Sequence, residues 1–102
     1  MPDQEMIIME LVVAGGNARS TAIEALRCAK ADDFEQAEKK LKEADASLLK
    51  AHHVQTDMIQ REINGDKTPI DLLTVHAQDH IMNAMTVLEL VKEMIEILKV
   101  RS

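Results

Sequence analysis

From Phe34 to Met58 one spacing repeats. Phe34, Ala37, Leu41, Ala44, Leu48, Ala51, Gln55 and Met58 follow one another at alternating intervals of three and four. An α-helix turns once in about 3.6 residues, so this spacing draws a nearly straight seam along one helix face. A strand would need a period of two. Glu35, Glu38, Lys39, Lys40, Lys42, Glu43 and Asp45 fall mostly outside the seam and read as a solvated face rather than a partner site. A helix this long cannot bury its seam alone, so the rest of the chain has to supply helices that cover it.

The flanking signals define those helices. Asp33 is a candidate N-cap, with Gln36 placed as in a capping box. Asn64-Gly65 reads as a helix stop. Thr68 is the candidate N-cap of the next helix, Pro69 its first residue, and Asp71 complements its positive end. The expected fold is all-α: an elongated antiparallel three-helix bundle, with helices over about residues 4–31, 33–64 and 69–100 in a single domain spanning 1–102. A helix of about 30 residues is a rod of about 45 Å. A compact domain of this length has a radius of gyration of only about 13 Å, so the hairpin must be long and its core thin.

The first helix starts apolar on every side, with Met6, Ile7, Ile8, Met9, Leu11, Val12 and Val13. Two neighbouring helices cannot cover all of that surface, which argues for oligomerisation. Gly15 and Gly16 then interrupt the pattern. A kink, a close backbone approach and a tolerated weak point are all compatible with them.

Composition excludes several functions. Hydrophobic residues make up 46% of the chain, enough for a core, and Phe34 is the one aromatic residue. The net charge is −6 and no stretch is strongly basic, which argues against a nucleic-acid backbone as ligand. Stacking platforms for single strands are missing too. Cys28 stands alone, so no internal disulfide forms; this fits a cytosolic location, and Cys28 reads as a small core residue. The start Met1-Pro2-Asp3-Gln4-Glu5 has no basic and then apolar signal pattern, and charges interrupt every apolar run before it could span a bilayer.

Chemistry concentrates in Val75-His76-Ala77-Gln78-Asp79-His80. On a helical wheel His76 and His80 share a sector with Leu73, Val87, Leu90, Val91, Met94 and Leu98. Asp79 lies at its edge beside Leu72 and Ile97. The stripe therefore reads as a packing face whose first part carries ionisable groups, as a site between packed helices would. His76 is either a structural histidine or a nucleophile, since a neutral imidazole can accept a phosphoryl group near pH 7. His80, one turn later, either adds polarity or binds phosphoryl oxygens and fixes the His76 tautomer. Gln78 points to the opposite side and reads as solvated surface unless it serves a neighbouring subunit.

Asp79 either makes an intrachain hydrogen bond or, in a threefold assembly, meets its copies near the axis, where three carboxylates would attract a hard cation. Antiparallel pairing of the second and third helices levels His80 with His53 and His76 with Asp57. His52, His53, His76 and His80 are thus expected at one height. A His76/His80 metal pair has suitable spacing, with His53 as a third ligand. Ala77, however, stands where a metalloprotease helix carries its glutamate.

The run Leu73-Thr74-Val75-His76-Ala77-Gln78-Asp79-His80-Ile81-Met82 resembles the signature of the lactose/cellobiose-type (N,N'-diacetylchitobiose) IIA components of the bacterial phosphoenolpyruvate-dependent sugar phosphotransferase system. The resemblance extends through Gly16-Asn17-Ala18-Arg19-Ser20, Asp33-Phe34-Glu35, His52-His53, Gln60-Arg61-Glu62 and Asn64-Gly65-Asp66-Lys67, and so covers nearly the whole chain. It implies a homotrimer of nine helices. It also implies that His76 is the phosphorylated histidine, with His80 left to the assisting role its spacing suggests, and that Asp79 holds a divalent metal, expected to be Mg2+, at the trimer axis. The implied donor is the phosphocarrier HPr, and the implied acceptor is a IIB component that takes the group on cysteine. No nucleotide is needed. The competing reading is a non-catalytic helical adaptor or metal-binding bundle, which all of the periodicity would equally suit. Lactose, cellobiose, chitobiose and other β-glucosides remain open as the sugar.

Overall fold

The computed structural model describes residues 4–102. Met1, Pro2 and Asp3, which open the N-terminal segment read above for a signal pattern, lie outside the described residues. Three helices follow one another: α1 (Gln4–Lys30), α2 (Phe34–Ile63) and α3 (Leu72–Arg101). They form a hairpin measuring 52 × 22 × 20 Å with a radius of gyration of 15.8 Å, the long, thin shape that the helix lengths require. α1 packs extensively on both other helices, whereas α2 and α3 touch each other much less. α1 is the shared support.

The connections show why the helices stop where they do. After α1, Asp32 takes a left-handed conformation (φ 64°). The amides of Asp32 and Asp33 turn back to the carbonyls of Ala29 and Cys28. Asp33 then caps α2, its carboxylate accepting from the Gln36 amide at 3.2 Å. Its own amide is already used by Cys28, so the Gln36 side chain does not complete a capping box. At the far end of α2, the amides of Gly65 and Asp66 bond the carbonyls of Glu62 and Arg61, with Gly65 at φ 96°. This is the Schellman arrangement that glycine favours.

The start of α3 differs from the expectation. Thr68 is not its N-cap and Pro69 is not its first residue; the helix begins at Leu72, capped by Asp71. The Asp71 carboxylate accepts from both the amide and the hydroxyl of Thr74, at 2.9 and 2.8 Å. Those bonds hold its carboxyl below the usual aspartate range. One side chain that takes two donors makes a better cap than Thr68, whose hydroxyl instead accepts from Gln4 on α1 at 3.3 Å.

The α2 seam is buried as its spacing requires: Ala37, Leu41, Ala44, Ala51, Gln55 and Met58 are buried, with Phe34 and Leu48 packed at the margins. On α3 the buried line is Ala77, Ile81, Ala84, Leu88, Val91 and Ile95. This corrects the sector drawn around the histidines. Leu90 and Met94 are 52% and 44% exposed and form no part of the chain's own core. α1 sits over the neighbouring sector, and the histidines fall on its flank. The apolar start of α1 is likewise only partly covered: Ile8 and Leu11 are buried, while Met6, Met9 and Val13 are exposed.

Candidate functional site

His76 and His80 lie one turn apart near the start of α3, the spacing at which helix side chains meet. Their Nε2 atoms are 3.1 Å apart. The rings meet edge to face, with centroids 4.4 Å apart and planes at 81°. With both rings neutral, each keeps one N–H: one Nε2 donates to the other, whose ring carries its proton on Nδ1. His76 is exposed and His80 half-buried. Directly beneath them Ala77 and Ile81 are fully buried, which fixes the helix that carries both rings.

α1 completes the support. Gly15 is buried against His80: a Cβ built there would stand 3.0 Å from the His80 backbone carbon and 3.1 Å from its Cβ and carbonyl oxygen. A Cβ on Gly16 would stand 3.9 Å from His80 Nδ1, an ordinary contact distance. α1 runs through both glycines without a break, so of the three readings of Gly15 the structure selects close approach.

The expected cluster of four histidines does not form. His52 and His53 are exposed on α2, and His53 borders a groove with Gln4, Ile7 and Glu10 of α1. His53 faces the start of α1 across that groove, while His80 lies against Gly15 of α1. Among the described residues no three His, Cys, Asp or Glu side chains gather as a metal site, so the zinc-pair reading lacks its third ligand.

Gln78 is not solvated surface. It is half-buried, and its Oε1 accepts from Nε2 of the buried Gln55 at 2.6 Å. Gln55 occupies a core position of the α2 seam, and a buried amide needs such a partner. A glutamine at a seam position was the signal in the sequence, but its partner depends on how α2 and α3 face each other.

Asp79 points away from the core and is exposed in the single chain, its Oδ1 accepting from Asn83 Nδ2 at 3.0 Å. On the same side of α3 lie Leu72, Val75, Met82, Leu90, Ile97 and Val100, each more than half exposed. α3 is therefore apolar on two sides, one buried inside the chain and one open.

Comparison with known proteins places this arrangement in a class. Residues 6–99 match the family described as "PTS system, Lactose/Cellobiose specific IIA subunit", and the chain belongs to that family of phosphotransfer proteins. It is 53% identical to the lichenan-specific phosphotransferase enzyme IIA component of Bacillus subtilis over 95 residues, covering 93% of this chain and 86% of the relative. The fold is similar to the crystal structure of the cellobiose-specific enzyme IIA of Bacillus anthracis, with a TM-score of 0.91, 44% identity, and coverage of 97% of this chain and 92% of that one. It is also similar to the chain in the solution structure of the Escherichia coli IIA(chitobiose)–HPr complex, with a TM-score of 0.81, 36% identity and full coverage of both chains. Among the described residues no helix is long and apolar enough to cross a membrane.

Proposed function

We propose that this chain relays a phosphoryl group in the cytosol, taking it from HPr onto His76 and passing it to a IIB component that serves uptake and phosphorylation of a disaccharide. The observation that carries the reading is the exposed His76 ring in Nε2-to-Nε2 contact with the half-buried His80. With the Nε2 proton on His80, His76 Nε2 holds the lone pair that attacks phosphorus once the His80 N–H releases it. The bond between phosphorus and the donor histidine of HPr breaks, and its electron pair returns to that ring. His80 Nε2–H then turns to a phosphoryl oxygen, a charge-assisted hydrogen bond. The transfer to IIB runs in the same manner, with a thiolate as nucleophile.

The open apolar side of α3 and the exposed start of α1 support assembly as a homotrimer in which these surfaces cover one another. Asp79 lies on the open side, near the N-terminal end of α3. Three copies would present an all-oxygen set suited to a hard divalent cation such as Mg2+. Its chemistry there would be to neutralise the three carboxylates, and no transfer step runs through it. Asp79→Leu should keep or strengthen the trimer in sedimentation and end any dependence of assembly on Mg2+, since apolar replacement of buried charge is often neutral or stabilising. Dissociation of this variant into monomers would remove Asp79 from the axis.

The decisive test is incubation with HPr and a phosphate source. Wild type should acquire acid-labile, alkali-stable phosphate, and His76→Ala should acquire none while keeping its helix content. A helical adaptor would take up none in either form. Undiminished labelling of His76→Ala would place the acceptor elsewhere.

A further inference from the structure

We infer that Gly15 is a positioning residue for phosphoryl transfer: its missing side chain sets the approach of α1 to α3 at His80 and so holds the His76–His80 ring pair in register. The inference rests on the reading of His76 as the acceptor. Gly15 is buried, and its φ is not in the left-handed region, so backbone freedom does not explain a glycine there. In a helix interior glycine is the poorer choice than alanine. The buried line on α1 carries Ile8 and Leu11 before Gly15 and only alanines after it, Ala18, Ala22, Ala25 and Ala29. At Gly15 a methyl would sit tighter than ordinary contacts allow, and the neighbouring backbone would have to give by a few tenths of an ångström.

The obstacle a methyl would meet is not a side chain that could rotate away. It is the backbone carbon, the carbonyl oxygen and the Cβ of His80, at 3.0 to 3.1 Å. Relief requires the α3 backbone to yield at His80; a local bend there moves the His80 ring against His76, whereas a shift of the whole helix would carry both rings together. His80 contacts His76 through one nitrogen pair at 3.1 Å, so a displacement of a few tenths of an ångström weakens that bond and larger ones break it. Misplacing a reacting group by about 1 Å can cost about a hundredfold in rate.

Gly16 supplies the control. It is the adjacent residue on the same helix, and alanine there brings the same gain in helix propensity. Its added methyl would meet nothing closer than 3.9 Å. The experiment compares Gly15→Ala and Gly16→Ala with wild type in single-turnover phosphoryl transfer from phosphorylated HPr and in ring-nitrogen NMR shifts of His76 and His80 at a fixed pH of about 8, where unperturbed imidazoles are neutral. Gly16→Ala should match wild type in both. Gly15→Ala should shift the ring nitrogens of both histidines and slow transfer by about tenfold or more, with the trimer intact.

Unchanged ring-nitrogen shifts in a folded Gly15→Ala protein would overturn the inference, as would equal slowing by the two variants, which would point to helix stiffness. If Gly15→Ala does not fold, wild type still decides. Gly15 Hα must show nuclear Overhauser contacts to His80 Hβ, and their absence overturns the close approach. The ring-nitrogen shifts do not depend on phosphate, so they test the positioning even if the labelling experiment moves the acceptor away from His76.

Discussion

The two halves of this hairpin are packed by different means. Near the α1–α2 turn the core is built on small residues: Ala22, Ala25, Ala29, Ala37 and Ala44 let the helices close up, and Leu41, Leu88, Val91 and Ile95 fill what remains. Near the histidines the core is built on Ile8, Leu11, Met58 and Ile81, with Ala51 and Ala77 between them. Among the described residues the site half also holds the one buried side-chain amide, Gln55, and the glycine against His80. The alanine half spends its close approach on stability. The site half brings α1 against α3 at the histidine pair, and large side chains hold the helices together around it.

Ile81→Ala is the strongest test of that difference. Ile81 is fully buried beneath the histidines, and truncation there should destabilise by about 2–5 kcal/mol. Urea unfolding at fixed protein concentration measures it, because assembly makes apparent stability depend on concentration. A loss below about 1 kcal/mol, in the range of an isosteric swap, would mean that Ile81 does not anchor this half.

His80→Ala should act on chemistry rather than on folding. Losing a charge-assisted hydrogen bond of about 1.5–3 kcal/mol predicts transfer slower by about one to two orders of magnitude. Labelling should still run to completion at His76. Wild-type rates toward both HPr and IIB would reduce His80 to packing, and phosphate mapped onto His80 in the wild-type protein would reverse the two roles.

Ala25→Leu probes the other half and should have the smallest effect on the site. Ala25 is fully buried, and added methylenes in a close-packed region cost about 1–3 kcal/mol in stability. Transfer from HPr under folding conditions should stay within about twofold of wild type, since energetically independent sites usually add within about 0.5 kcal/mol. A large loss of transfer with little loss of stability would show that the halves are coupled, and would erase the distinction drawn here.

The sequence by itself determined the elements. Three helices, their lengths, the buried seam of α2, the cap at Asp33 and the stop at Asn64-Gly65 all follow from spacing and local hydrogen-bonding chemistry, which act over a few residues. The pairing of His76 with His80 was legible for the same reason, being an i,i+4 relation. What only the tertiary structure decided is azimuth: which side of each helix faces which neighbour. A wheel drawn for α3 shows one broad apolar surface, and the chain splits it into a buried line through Ala77 and Ile95 and an open side around Asp79. The same uncertainty placed His53 beside His80, hid the Gln55–Gln78 bond and left Gly15 without a reason. The N-cap shifted from Thr68 to Asp71 because Thr74 donates twice to Asp71 while Thr68 is taken by Gln4 of α1. Contacts between helices depend on rotations of each rod that local periodicity leaves free, and close packing against α1 fixes them.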